Sequence, residues 1–336
     1  EWQAVLRQGV SAFAAEQPGL LLQRVRRGVP PQCRWAAWMA FLNIDSKAEP
    51  GLYKRLLEQE SSWLPVIWLD APRTFPGAHG FGEEHQRALV RVLHAYSNLR
   101  PEVGYCQGMN FIVGLLLLVS ECREEEAFWV LAALMDERQL SGFFKERFPL
   151  LRAYVRAFDQ LLGEAAPDLR RHLASERVES EIFLHQWFLS LFINCLPLPA
   201  VLVVWDSVAY EGLPVLLRAA VARLVAMRTS LLDACFEDVL QLLRRPRSGT
   251  EAEGEAAADV GRLLMEQSDG IAVPPRIQRM LQEPIEDQDG QPVEGRPGPV
   301  CCGAGLRLLV RPARGALGAA SPAPGCAAGL RRLAQA

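Results

Sequence analysis

Two short stretches concentrate polar side chains where the helical pattern breaks off. The first runs from Ile67 to Gly77 and contains Asp70, Arg73 and Thr74, with prolines at 72 and 76. Those prolines fix the backbone on both sides of Arg73, so a stiff loop presents one guanidinium. Asp70, three residues earlier, can accept from the guanidinium or from the loop amides and so hold it in one pose. A salt-bridged surface turn, contributing about 0–1 kcal/mol, explains the same residues without chemistry. The second stretch, Pro101 to Asn110, holds Tyr105, Cys106 and Gln107 between glycines 104 and 108, directly before the apolar run Phe111 to Val119. The glycines permit a tight approach to a buried helix, and Gln107 falls near that helix's start, where its amide can face a cleft. A helix cap with Tyr105 packed inward is the plainer alternative.

Other chemistries are absent from the sequence. Only residues 47, 54 and 145 are lysines and none follows a glycine, so there is no Walker A loop with which to hold a nucleotide. H-E-x-x-H and G-x-S-x-G do not occur, and the glycines at 77, 80 and 82 have the wrong spacing for a dinucleotide fingerprint. Histidines 79, 85, 94, 172 and 185 are too dispersed for a metal cluster, and the eight cysteines show no C-x-x-C pair. Cys106 has no visible base beside it and reads as a buried small hydrophobe. This cysteine usage fits a reduced, cytosolic protein with no metal of its own.

These loops must be positioned by helices. Over 336 residues, half of them hydrophobic, the chain can bury a core, and its net charge of -3 provides no global field to gather nucleic acid or anionic lipid. Apolar residues recur at helical spacing in three stripes: Leu89, Val92, Leu93 and Tyr96; Leu151, Tyr154, Val155, Phe158, Leu161 and Leu162; and Leu217, Ala220, Val221, Leu224 and Val225. Strand alternation is hard to find, and no repeat of fixed period stands out, which leaves a helical solenoid as a fallback. The expected class is all-α. From Ile182 to Trp205 there is no charged residue, but Asn194, Pro197 and Pro199 interrupt the run. Two buried helices joined at Leu196 to Ala200 therefore fit better than a membrane span.

All 27 aromatic residues lie at or before Phe236, which places the end of the core near 245. An acidic linker with a short helix (Ile277, Met280, Leu281) is expected over 246–283. Residues 284–336 carry 16 Gly plus Pro in 53 positions and are expected to form a flexible Gly/Pro/Arg-rich tail. The chain starts at Glu1 with no charged-then-apolar leader, and residues 1–21 read as a helical extension ahead of the main domain.

Taken together, the polar loops resemble the paired signature of the TBC-domain family, activators of Rab-type small GTPases. I-x-x-D-x-x-R is matched by Ile67, Asp70 and Arg73, and Y-x-Q-G by Tyr105, Gln107 and Gly108. R-x-x-x-W is matched by Arg34 and Trp38, after a basic-Gly-Val-Pro run at Arg27 to Pro30. Gln186 to Phe192, the Trp205-Asp206 pair and Glu211-Gly212 are similar to the family's second half, so the likeness covers roughly 22–245. One departure is Val203, at a position where the family often has a basic residue.

The resemblance implies an all-α, multi-helix TBC-type domain that binds a Rab-type GTPase in its GTP–Mg form. It implies Arg73 and Gln107 as catalytic fingers supplied in trans, with Arg34, Trp38, Asp70, Tyr105, Gly108 and Asn110 in support: Arg34 and Asp70 bonding the finger loop, Trp38 and Tyr105 packing beneath it. The chain would run no reaction of its own and hold no cofactor, since magnesium and nucleotide arrive with the GTPase. Nucleic acid is not an expected partner. A role in vesicle trafficking, in the cytoplasm and peripherally on endomembranes through the GTPase, follows from the same likeness. The rival is a helical adaptor that binds a small GTPase without activating it.

Overall fold

Proline decides where many of this chain's helices begin, because it lacks the N–H that a helix's first turn leaves unbonded. In a computed structural model describing residues 1–78, 80–244 and 255–282, the N-terminal helices are α1 (Trp2–Gln8), α2 (Val10–Glu16), α3 (Pro18–Arg26) and α4 (Pro31–Phe41). After them come α5 (Leu52–Leu57), α6 (Leu64–Asp70), α7 (Glu83–Leu99), α8 (Met109–Val119) and α9 (Glu124–Asp136). The second half has α10 (Pro149–Ala165), α11 (Pro167–Ser175), α12 (Glu181–Leu189), α13 (Leu198–Glu211), α14 (Pro214–Ala226), α15 (Arg228–Leu232) and α16 (Phe236–Arg244). Two more follow, α17 (Glu255–Asp269) and α18 (Pro275–Gln282). Proline occupies the first two positions of α3, α4, α6, α10, α11, α13 and α14. No strand occurs among the described residues, as the stripes lead one to expect. The chain divides into two units, 1–300 and 301–336, and all described residues belong to the first.

The stripes form the core. Leu89, Val92, Leu93 and Tyr96 of α7 are buried, as are all six stripe residues of α10. On α14 the stripe is buried except at its last member, Val225, which is half-buried. Each such large side chain contributes about 1.5–3 kcal/mol relative to exposure. α8 is apolar around nearly its whole circumference because α7 and α9 both pack on it, burying Ile112 to Leu117. Helices α1 and α2 dock on α4 and α3 docks on α13, in a cluster that includes Trp2, Val5, Phe13, Leu21 and Val25.

The uncharged stretch from Ile182 to Trp205 does form two helices. The break comes earlier than the prolines suggest, at Ser190, where Leu191 and Phe192 both take the left-handed conformation. Pro199 lies in the first turn of α13, where it is tolerated. No helix among the described residues is long and apolar enough to cross a membrane.

Residues 255–282 hold two helices, α17 and α18, rather than a simple acidic linker. α17 packs along α13 and α14, burying Ala257, Leu264 and Met265. Gly261 makes this approach possible: a Cβ there would lie 2.8 Å from the Ala200 backbone and 3.0 Å from Cβ of Val203. Arg26 of α3 ties both helices down, reaching Glu211 of α13 and Asp269 of α17 at 2.6 Å each. The Gly/Pro/Arg-rich tail at 284–336 lies outside the described residues.

Candidate functional site

α6 is short, and its inward positions are Ile67 and Asp70, spaced three apart on one side. It runs directly into a 3-10 turn, Ala71–Arg73, which carries the arginine outward while Ala71 stays buried. Thr74 then turns back into the protein, wholly buried, and Phe75 follows in the left-handed conformation with φ 49°. A Cβ on Gly114 of α8 would lie 2.8 Å from the Phe75 ring, so α8 leaves a notch that seats the loop. Phe75 also meets Phe81 and Phe111 edge to face, with centroids 5.5 and 5.9 Å apart.

The glutamine loop is shaped by its two glycines. Gly104 has φ +62°, and a Cβ there would lie 2.5 Å from the Trp63 ring. Gly108 has φ +115°, and a Cβ would lie 2.8 Å from the carbonyl oxygen of Leu189 at the end of α12. Both positions therefore exclude other residues by space as well as by backbone conformation. Gln107, between them, is exposed, while Tyr105 and Cys106 point inward and are buried.

A chain of hydrogen bonds joins the two loops. The Gly108 N–H donates to Asn110 Oδ1 at 3.0 Å, and Asn110 Nδ2 donates to Thr74 Oγ1 at 2.8 Å. The Thr74 hydroxyl in turn donates to the Asp70 carbonyl at 2.9 Å. Asp70 closes the circuit through its carboxylate, which is 2% exposed. One oxygen accepts from the Tyr105 hydroxyl at 2.5 Å, and the other pairs with Arg73 Nη2. Burial, and then the bond to Asp70, hold the Tyr105 phenol well above its usual range, so it remains a donor. The Arg73 side chain is 56% exposed. With Asp70 engaged through Nη2, the rest of the fork is available to an anion.

The structure thus brings together Asp70, Arg73, Tyr105, Gly108 and Asn110, with Gln107 on the same loop. It ties Arg34 and Trp38 to a different centre. Asp206, fully buried on α13, accepts from Arg34 Nε (3.0 Å), Arg34 Nη2 (3.2 Å), Trp38 Nε1 (2.8 Å) and the Val29 N–H (2.7 Å). Arg34 also donates to the Val29 carbonyl at 2.5 Å. The expectation that Arg34 bonds the finger loop and Trp38 packs beneath it is corrected accordingly: a buried carboxylate requires charged and polar donors, and these two residues supply them. Burial pushes the Asp206 carboxyl up to about 6, against the pull of Arg34.

Three roles escape the sequence reading: the bridge that Thr74, read only as part of the first polar stretch, makes between the loops, and the packing of Trp63 and Leu189, which fill the spaces beside the glycines. Their only local signal is adjacency to Arg73 for Thr74. The paired glycines show that something approaches closely, without showing what. The departure at Val203 has a packing counterpart, because its side chain is 2% exposed and stands against both Gly28 and Gly261. A long basic side chain has no room between those backbones. Among the described residues no group of three or more His, Cys, Asp or Glu side chains could hold a metal ion.

Comparison with known proteins agrees with this architecture. The family model described as the Rab-GTPase-TBC domain matches residues 31–232, and the chain belongs to that family. It is 34% identical over 232 residues to the Rab GTPase-activating protein eat-17 of Caenorhabditis elegans, covering 68% of this chain and 26% of that one. Against the growth hormone-regulated TBC protein 1 of Xenopus tropicalis identity is 30% over 260 residues, covering 74% of each chain. The crystal structure of the Chlamydomonas flagellar RabGAP TBC domain superposes with a TM-score of 0.64 at 32% identity, covering 74% of this chain and 82% of that one. The chain spans about a quarter of the length of eat-17.

Proposed function

We propose that this chain stimulates GTP hydrolysis by a Rab-type small GTPase in its GTP–Mg form, supplying Arg73 and Gln107 in trans. The observation that carries the reading is the hydrogen-bonded circuit through Asp70, Thr74 and Asn110. It locks two loops to each other while leaving the guanidinium and the amide at their tips exposed. Family membership and relatives named as Rab GTPase-activating proteins support the partner class. Hydrolysis passes through a loose phosphoryl transition state whose charge spreads over the phosphate and leaving oxygens. Arg73 meets that charge with a planar fork already oriented by Asp70, so little reorganisation is needed at the moment of reaction. Gln107 orients the attacking water through its amide. Peripheral association with membranes follows through the bound GTPase.

The test is phosphate release from a panel of GTP-loaded Rab proteins, with Arg73→Ala run beside the parent. Acceleration of one or a few members, reduced about 10³- to 10⁵-fold in the variant with Tm nearly unchanged, is the expected result. GTP-dependent binding without acceleration would make the chain an adaptor and return Arg73 to a loop salt bridge.

A further inference from the structure

The outer side of α6, next to Arg73, is apolar and uncovered. While Ile67 and Asp70 face inward, Val66, Trp68 and Leu69 are 38%, 50% and 75% exposed. They are three of the seven large hydrophobic residues exposed among the described residues, and they fall within four positions. Single exposed apolar residues are ordinary on any surface, but a contiguous group that includes a tryptophan marks a contact site. Nothing in the finger circuit uses these side chains: the hydrogen bonds run through Asp70, Thr74, Tyr105 and Asn110.

Distance selects the occupant. Leu69 precedes Arg73 by four residues and Trp68 by five, about 7–9 Å along α6 and the 3-10 turn that follows it. A specific protein interface covers about 800 Å² per partner, a disc of about 16 Å radius. A protein whose bound phosphate reaches Arg73 therefore lies over Trp68 and Leu69 as well, whereas a free nucleotide at Arg73 would leave them bare. We infer that Trp68 and Leu69, with Val66 beside them, are the apolar anchor on which the GTPase docks, and that they favour GTPases presenting an apolar face beside the nucleotide pocket. This rests on the activator reading above. It divides the labour of one short segment: Arg73 acts on the transition state, and the outer side of α6 acts on binding.

The experiment measures kcat and KM of stimulated hydrolysis for the parent, the Trp68→Ala/Leu69→Ala double variant, Trp68→Phe and Arg73→Ala. Capture of the same Rab proteins loaded with a non-hydrolysable GTP analogue runs alongside. The expected result is a rise in KM of about tenfold or more in the double variant, with kcat within about twofold and Tm unchanged, because the truncated groups are exposed. Trp68→Phe keeps most of the affinity, and Arg73→Ala shows the opposite split, losing kcat. An unchanged KM in the double variant of an active parent overturns the anchor and leaves the activator reading standing. Parent dimers in sedimentation velocity that the double variant abolishes also overturn it, by assigning the patch to a second copy of this chain. If the parent neither activates nor captures any GTP-loaded Rab, both readings fall together. Capture that the double variant loses, without activation by the parent, supports the anchor while sinking the activator.

Discussion

Asp206 and Asp70 are both buried carboxylates, yet their surroundings differ in kind. Asp206 receives four donor contacts from Val29, Arg34 and Trp38, all of them buried. Asp70 receives one from the buried Tyr105, and its other partner is the half-exposed Arg73. A saturated carboxylate whose partners are enclosed can only hold structure, here joining α4 to α13 across more than 160 residues of chain. A carboxylate with one enclosed donor and one exposed partner can do more: it aims a charged side chain without burying it. The same chemical group thus serves as a rivet in one place and as a pivot in the other.

The contrast can be broken from either end. The largest effect is expected at the pivot, in activity alone. Arg73→Lys should lose nearly as much stimulated hydrolysis as Arg73→Ala, equivalent to about 4–7 kcal/mol of barrier, because an ammonium lacks the fork. Single-turnover phosphate release reads this, and a lysine variant as fast as the parent would remove the finger role. At the rivet the loss should appear in stability. Asp206→Ala leaves Arg34 buried without its counter-charge, and denaturant titration should show a loss of about 3–5 kcal/mol, with activity falling only as the folded fraction falls.

Tyr105→Phe tests the pivot's fixed donor. It should lower stability by about 1.5–3 kcal/mol, the range for a hydrogen bond to a charged group, and lower kcat beyond that by loosening the aim of Arg73. A variant with lowered stability and full kcat would make Tyr105 a packing residue only. A dependence on pH is also expected at Asp206. Its folded carboxyl lies at about 6 against an ordinary 3.8. The folded state therefore holds the proton more tightly, and the stability this group provides is complete below about 3.8 and lost as pH rises through about 6. The stability difference between the parent and Asp206→Asn should fall between pH 4 and 6 and be flat above about 6.5. A difference that grows over that interval would reverse the assignment.

What the sequence makes legible follows from distance along the chain. The stripes of α7, α10 and α14 can be read because helical periodicity is a local signal, and nearly all of those residues are buried. The two polar loops can be read because prolines 72 and 76 and glycines 104 and 108 mark constrained backbone within a few residues of Arg73 and Gln107. The partners are another matter. Arg34 finds Asp206 at a separation of 172 residues, and Asn110 finds Thr74 at 36. Nothing in local spacing distinguishes an arginine that will support a loop from one that will neutralise a distant aspartate. α17 is missed for a similar reason: its stretch is rich in acids and lacks aromatics, and what seats it is a glycine that lets two backbones meet.

That last contact bears on how the protein can be divided. The family match stops at residue 232, so a fragment trimmed to that limit would look complete by homology. It would nevertheless lack α16 and α17, stripping the cover from Ala200 and Val203 along α13 and leaving Arg26 without its Asp269 partner. Such a fragment should be sticky and prone to precipitate, whereas one extended through residue 282 keeps the seam closed.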